Sequence, residues 1–269
     1  MEAATERQVA LETLRLQLEW GADEALGEAP VDRTRRQAMT RPAPALVERS
    51  PSLVATAAAK GARPAAAVRA DEVAAAARSL QELRAALGSF EGCSLAATAT
   101  NLVFADGNPG AELMFVGEAP GAEEDLSGKP FVGSSGQFLD RMLATIGLDR
   151  TKFLITNLIP WRPPGNRNPT DAEVLICLPF LFRHIALARP RRLVLLGALA
   201  ARSVLGGNAG IRRMRGKWVE ARVPGLDEPL PALPMLHPAY LLRTPGAKRD
   251  MWTDLILLKR TLEADLSGT

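Results

Sequence analysis

Between residues 112 and 264 short apolar runs alternate with longer segments of helical periodicity, and this alternation restricts the chain to few architectures. The run Leu113-Met114-Phe115-Val116 reads as the core of a buried strand over 112–117. Further strands are expected at 153–157, 193–197 and 233–236. Helices are expected at 135–146, 171–188, 198–205 and 247–264. In the first of these, Phe138, Leu139, Met142, Leu143 and Ile146 recur at helical spacing. In the second, Thr170 stands at the N-cap and Glu173 at the matching capping-box position. The pattern predicts an α/β fold, a three-layer α/β/α sandwich around a central, mainly parallel four-stranded sheet. Right-handed crossovers put the strand C-termini on one edge, and in open α/β sheets that edge takes the ligand.

The residues ahead of this region read differently. Leu11, Leu14 and Leu18 give 7–26 a helical pattern, ended by Gly21 and Gly27. Residues 29–70 are rich in Ala, Pro and Arg with little aromatic or β-branched content, the composition of a linker. Asp71-Glu72 opens a helix through Leu87, with its acids in the first turn. The chain therefore divides into an N-terminal helical and linker extension, 1–70, and an α/β domain, 71–269.

No uninterrupted apolar run reaches membrane-spanning length, and residues 1–6 are acidic without a signal-peptide core. Two cysteines, Cys93 and Cys177, make no disulfide framework. A cytoplasmic protein without a membrane partner is expected. The net charge of +3 is modest, yet no Asp or Glu stands between Val174 and Val219. That interval carries Arg183, Arg189, Arg191, Arg192, Arg202, Arg212, Arg213, Arg215 and Lys217. Such a run either faces phosphates or is an ordinary solvated surface.

Two turns carry the chemistry. Val116-Gly117-Glu118-Ala119-Pro120-Gly121 closes the first strand, and His237-Pro238-Ala239-Tyr240-Leu241-Leu242-Arg243 follows the last. Each sets a polar group beside a Gly or Pro where a strand ends, so one composite site is expected at the sheet edge. Gly27-Glu28-Ala29-Pro30 repeats the letters of Gly117–Pro120 but follows a helix, and is read as a chance match.

These turns, with Glu123-Glu124-Asp125, Gly128-Lys129-Pro130-Phe131-Val132-Gly133, Asn157, Arg162-Pro163-Pro164, Asn166-Arg167 and Pro169-Thr170, match the uracil-DNA glycosylase superfamily in order and spacing. The resemblance is closest to family 4 and covers about residues 87–265. It implies that 71–269 is a uracil-DNA glycosylase-like domain, acting as a monomer on uracil-containing DNA in base-excision repair. Family 4 enzymes resemble one another in binding a [4Fe–4S] cluster through four cysteines. The matching positions here read Phe90, Cys93, Trp161 and Cys177, and two thiolates are not the four such a cluster needs. No cofactor is expected; Phe90 and Trp161 fill the space, and the cysteines act as small apolar residues. A two-cysteine metal site helped by His184 is the alternative.

The implied reaction is hydrolysis of the bond between uracil N1 and deoxyribose C1′. The base must be flipped from the stack or met in single-stranded DNA. The sugar becomes cation-like and the base anion-like, so negative charge belongs near the sugar and donors near uracil O2. By the resemblance, His237 donates to O2 and Glu118 stabilises the sugar and orients water, with Asp125 as second choice. In better-known relatives a carboxylate stands one residue later, at the position of Ala119. Glu123 and Glu124 are expected to be exposed.

Asn157 should read the uracil edge, because one amide offers both donor and acceptor. Phe131 should stack on the ring, and Gly117, Ala119 and Gly121 should line its slot. Ser134 and Ser135 are candidates for a phosphate at a helix N-terminus. Leu241, Leu242 and Arg243 are candidates for filling the gap left by the flipped base. Asn166 and Arg167 either line the DNA groove or form a structural turn. Two other readings compete. One is a uracil-DNA binding protein, non-catalytic or covalently trapping, although 164–169 holds neither the His nor the insertion of the trapping branch. The other is a nucleotide-binding regulator, although no Gly-Lys-Ser/Thr loop is present.

Overall fold

A computed structural model describes residues 64–267; the expected helix at 7–26 and most of the expected linker lie outside them. Six strands form one sheet: β1 (Asp106–Gly107), β2 (Leu113–Gly117), β3 (Leu154–Asn157), β4 (Arg192–Leu196), β5 (Val219–Ala221) and β6 (Leu230–Met235). Their spatial order is β1-β3-β2-β4-β6-β5. The inner four are parallel, with Gly117 level with Asn157 and Val116 level with Leu195. The two edges, β1 and β5, run antiparallel to their neighbours.

The expected four-stranded sheet is thus corrected to six. The two additions are Asp106-Gly107 and Val219-Glu220-Ala221, too short and too polar to leave an apolar run. β6 also begins at Leu230, ahead of the expected 233, because Pro231 and Pro234 interrupt its pattern.

The helices among the described residues are α1 (Ala65–Ala76), α2 (Leu80–Gly88), α3 (Ala122–Ser127), α4 (Ser134–Ala144), α5 (Asp171–Ala188), α6 (Ala198–Leu205), α7 (Ile211–Met214), α8 (Pro238–Arg243) and α9 (Lys248–Ser267). They cover both faces of the sheet. Met114, Val116, Leu154 and Leu195 pack with residues of α1, α2, α5 and α6. Leu113, Phe115, Ile155 and Val194 pack with residues of α4, α8 and α9. Burial on both faces is why the inner strands are apolar throughout rather than alternating. The capping box of α5 forms as expected, with Thr170 accepting from the Glu173 amide and Glu173 from the Thr170 amide.

The expected single helix at 71–87 is two helices, and the first starts at Ala65, inside the stretch read as linker. Ala67, Ala70 and Ala74 are buried in the core shared with α5. Small side chains let two helix backbones approach closely, so an alanine-rich composition here means packing rather than disorder. The break falls at Ala77, whose carbonyl accepts from Arg183 of α5 at 2.6 and 2.8 Å. Ser79 then caps α2 by accepting from the Glu82 amide.

Topology positions the site. β2 pairs with β3 on one side and β4 on the other, so connections leave the sheet centre in opposite directions. A crevice opens there at the carboxyl ends of the strands.

Candidate active site

A cleft of about 380 Å³ occupies that crevice, lined by Glu118 after β2, Asn157 at the end of β3 and His237 after β6. Two turns far apart in the chain therefore converge, as expected. Ala119, Gly121, Phe131, Ser135, Asn166, Arg167 and Arg243 also line it.

Its floor is set by close approach. A Cβ placed on Gly117 would lie 2.4 Å from both Asn157 Oδ1 and Phe131 Cζ. The amide and the ring thus converge over a residue that must lack a side chain. Asn157 is 5% exposed, and its Oδ1 is buried with no hydrogen-bond partner.

Phe131 adopts a left-handed backbone conformation, φ 57°, costly for a bulky residue. Two features hold it there. Gly136 lies so close that a Cβ would meet the Phe131 carbonyl oxygen at 2.0 Å. Arg150 donates to that same carbonyl at 2.8 Å while pairing with Asp140 at 2.9 Å and Asp106 at 3.3 Å. The ring ends 5.8 Å from the His237 ring, centroid to centroid, and tilted by 30°.

His237 caps α8. Its Nδ1 accepts from the Ala239 amide at 3.2 Å, so the proton of the neutral ring sits on Nε2. Burial pushes its pKa down to about 4, and the charge of Arg243 acts in the same direction. The ring is a neutral donor at physiological pH. Glu118 is half-buried; burial raises its pKa, against an opposing pull from Arg202.

The three neighbouring acids separate sharply. Glu123 is exposed, as expected. Glu124, expected to be exposed, is 7% exposed and lines the cleft. It accepts from the Gly121 amide at 3.0 Å and the Gly133 amide at 2.8 Å, tying the two glycine turns together. Asp125 is not brought to the cleft. Its carboxylate accepts from the Thr100 amide at 2.8 Å, the Thr100 hydroxyl at 3.0 Å and the Asn101 amide at 3.2 Å, so its oxygens brace a distant turn. Glu124 had one signal in the sequence, its capping-box distance from Gly121.

The remaining candidates divide as well. Ser135 lines the cleft, whereas Ser134 is exposed and lies outside it. Arg167 reaches the cleft but forms a two-pronged pair with Glu173 at 2.6 and 2.9 Å. That pair holds the Glu173 carboxyl down near 2. Asn166 accepts from Arg162 at 2.7 Å. Leu241, expected as part of a wedge, is fully buried in the core beneath α8. Leu242 is 43% exposed, and Arg243 is exposed beside it. Tyr240, Pro163 and Asn168 line the cleft without having been foreseen as site residues.

The four positions matching cluster ligands share one apolar core: Phe90, Cys93, Trp161 and Cys177 are each 5% exposed or less. Phe90 packs edge-on against Phe180 with centroids 5.0 Å apart. Cys177 donates a hydrogen bond to the Cys93 sulfur, which brings the Cys93 pKa down to about 7. Two aromatic side chains stand where two thiolates would be needed, so these residues do not fit a four-cysteine cluster. Among the described residues no three His, Cys, Asp or Glu side chains gather as a metal-binding group.

Comparison with known proteins gives the family. The family model of the uracil DNA glycosylase superfamily matches residues 104–257. A Type-4 uracil-DNA glycosylase of Pyrobaculum aerophilum is 36% identical over 182 residues, covering 66% of this chain and 92% of that protein. The Type-4 enzyme of Archaeoglobus fulgidus is 39% identical over 180 residues, covering 65% and 89%. That of Sulfurisphaera tokodaii is 37% identical over 181 residues, covering 65% and 81%. With the family model spanning more than half of its length, the chain belongs to the uracil DNA glycosylase superfamily.

Proposed function

We propose that this protein is a uracil-DNA glycosylase, hydrolysing the N-glycosidic bond of deoxyuridine in DNA to release uracil and leave an abasic site. The observation that carries the reading is the unpartnered Oδ1 of Asn157 beside the Phe131 ring. A buried acceptor without a donor costs about 1–3 kcal/mol, so its neighbours hold it ready for a ligand that brings one. Uracil N3–H supplies that donor, and its O4 accepts from the same side-chain amide. Cytosine presents the reverse pattern and leaves both groups mismatched. Phe131 stacks on the flipped ring.

The reacting bond then lies between two groups of opposite character. As C1′–N1 breaks, its electron pair moves onto the base, and His237 donates from Nε2 to the developing charge on O2. Glu118 sits on the sugar side. Its carboxylate stabilises the cationic ribose, orients water towards C1′ and takes the proton that water loses. Leu242 fills the vacated stack, with Arg243 beside it; Ser134, Ser135, Asn166 and Arg167 border the strand. A monomer acting in the cytoplasm belongs to the same reading. The N-terminal extension and the glycosylase domain are part of this reading, and the packing of α1 against α5 supports counting α1 with the domain.

The test is direct. Uracil-containing oligonucleotide is incubated with the protein and treated with alkali; strand cleavage at uracil is the expected result. A gel shift without cleavage points instead to a binding protein, and a shift that survives denaturant points to covalent trapping.

A pH profile follows from the two shifted groups. Glu118 works ionised, and burial raises its pKa, so the rate should fall on the acid side at a pH above the ordinary 4.5. His237 stays neutral down to about 4, so no step should appear near 6.5. Single-turnover rates across this range check both. Glu118→Gln should remove the acid limb; an unchanged limb would take Glu118 out of the mechanism.

The domain is also expected to fold and act without an iron–sulfur cluster. Iron and sulfide analysis of protein purified without oxygen should find neither in stoichiometric amount, and four irons per chain would overturn this expectation.

A further inference from the structure

We propose that the arginine-rich segment 206–217 is a second contact surface for the DNA phosphate backbone, set beside the base cleft and joined to it through Tyr240. The nature of the polyanion rests on the glycosylase reading; the surface itself rests on how the structure sorts the cations of the acid-free stretch.

One set of these cations is engaged by the protein's own carbonyls and carboxylates, Arg191 at the exposed surface. Arg183 donates to the Ala77 carbonyl. Arg191 pairs with Glu112 at 3.5 Å, and Arg192 with Asp265 at 2.6 Å. Arg215 pairs at 2.6 Å with Asp254, whose side chain is wholly buried on α9, and also donates to the Asp250 carbonyl. That last pair fastens the segment to the body of the fold. Removing one partner of such a buried pair leaves an uncompensated charge, so the anchor is firm.

The other set faces outward: Arg189, Arg202, Arg212, Arg213 and Lys217 are exposed, and the last three lie together in 206–217. Arg212 donates to the Tyr240 hydroxyl at 3.0 Å. Tyr240 lines the cleft, and Leu242 and Arg243 follow it on α8. A line of cations therefore runs from Arg243 across Tyr240 to Arg212, with Arg213 next in the chain.

The backbone suits the same partner. Gly206 and Gly207 hold φ of 76° and 80°, and a Cβ at either would meet nothing within 4 Å. They are not there to relieve crowding; they set a left-handed path with open space around it, which lets a phosphate approach the chain. Protein interfaces centre on buried aromatic or aliphatic anchors. The exposed residues here are Gly206, Gly207, Asn208, Ala209, Gly210, Arg212, Arg213, Gly216 and Lys217, which supply cations and no such anchor. The chemistry favours a phosphodiester strand over an acidic protein.

The experiment measures binding of the full chain to a fluorescent, uracil-free single-stranded oligonucleotide as salt is varied. In the Arg212→Ala/Arg213→Ala variant the slope of log affinity against log salt should shrink by about 1.4, at about 0.7 for each phosphate no longer neutralised. Arg212→Lys/Arg213→Lys should keep the wild-type slope. A control, Arg69→Ala/Arg84→Ala, removes two exposed charges from α1 and α2 and should also keep it. An unchanged slope in the first variant, at an unchanged melting temperature, overturns the proposal, and so does an equal loss in the control. Alkali-revealed cleavage by the wild-type chain is scored in parallel. Its absence, with the slope change present, refutes the glycosylase reading and leaves the surface standing.

Discussion

Replacing His237 by alanine is expected to slow uracil release by about 10²–10³-fold, the usual cost of one donor aimed at developing charge. DNA affinity should change little, because the ring meets the base and not the backbone. The expectation rests on geometry as much as on residue type. The Ala239 amide occupies Nδ1, which leaves Nε2–H as the one donor the ring offers. Burial keeps the ring neutral, so it does not titrate near pH 7 and its Nε2–H donor is present throughout the working range. Single-turnover rates and equilibrium binding to the same oligonucleotide separate the two effects. Equal losses in both would move His237 from the chemistry to the scaffold.

Gly117→Ala is expected to be nearly as damaging. The new methyl would lie 2.4 Å from Asn157 Oδ1 and 2.4 Å from Phe131 Cζ, far inside contact distance. Phe131 has little room to retreat, since Arg150 and Gly136 fix its backbone. Either the amide or the ring must leave its place, and a displacement of about 1 Å at a reacting centre can cost about 10²-fold. The stability cost should be the smaller one, about 1–3 kcal/mol for one methyl forced into a packed site. Urea melts and turnover at saturating substrate measure the two. Near-normal turnover would mean that uracil does not sit between Asn157 and Phe131.

Much of this was legible in the residues, and the parts that were not have physical causes. β2, β3, β4 and α5 were found because long apolar runs or a sustained helical period carry signal over many positions. β1 and β5 were missed because two or three residues carry no period at all. The linker reading failed at Ala65 because alanine is common both in disordered tails and where helices touch; only the partner, α5, tells them apart.

Within the site, Glu118, Asn157 and His237 follow directly from strand ends, and a parallel sheet brings strand ends together. Neighbouring residues of like type were harder. Glu123, Glu124 and Asp125 are chemically alike, and the rotation of α3 decides that the first faces solvent, the second the cleft and the third Thr100. Leu241 and Leu242 pose the same problem, because about 100° of helical rotation per residue puts one in the core and the other outside.

Glu124 has a consequence for how this molecule can change over generations. One carboxylate serves the amides of both Gly121 and Gly133, so the loop leaving β2 and the loop entering α4 cannot drift independently. A lengthened or reshaped loop on either side would strand a buried charge, and tolerated variants should alter both loops together or neither.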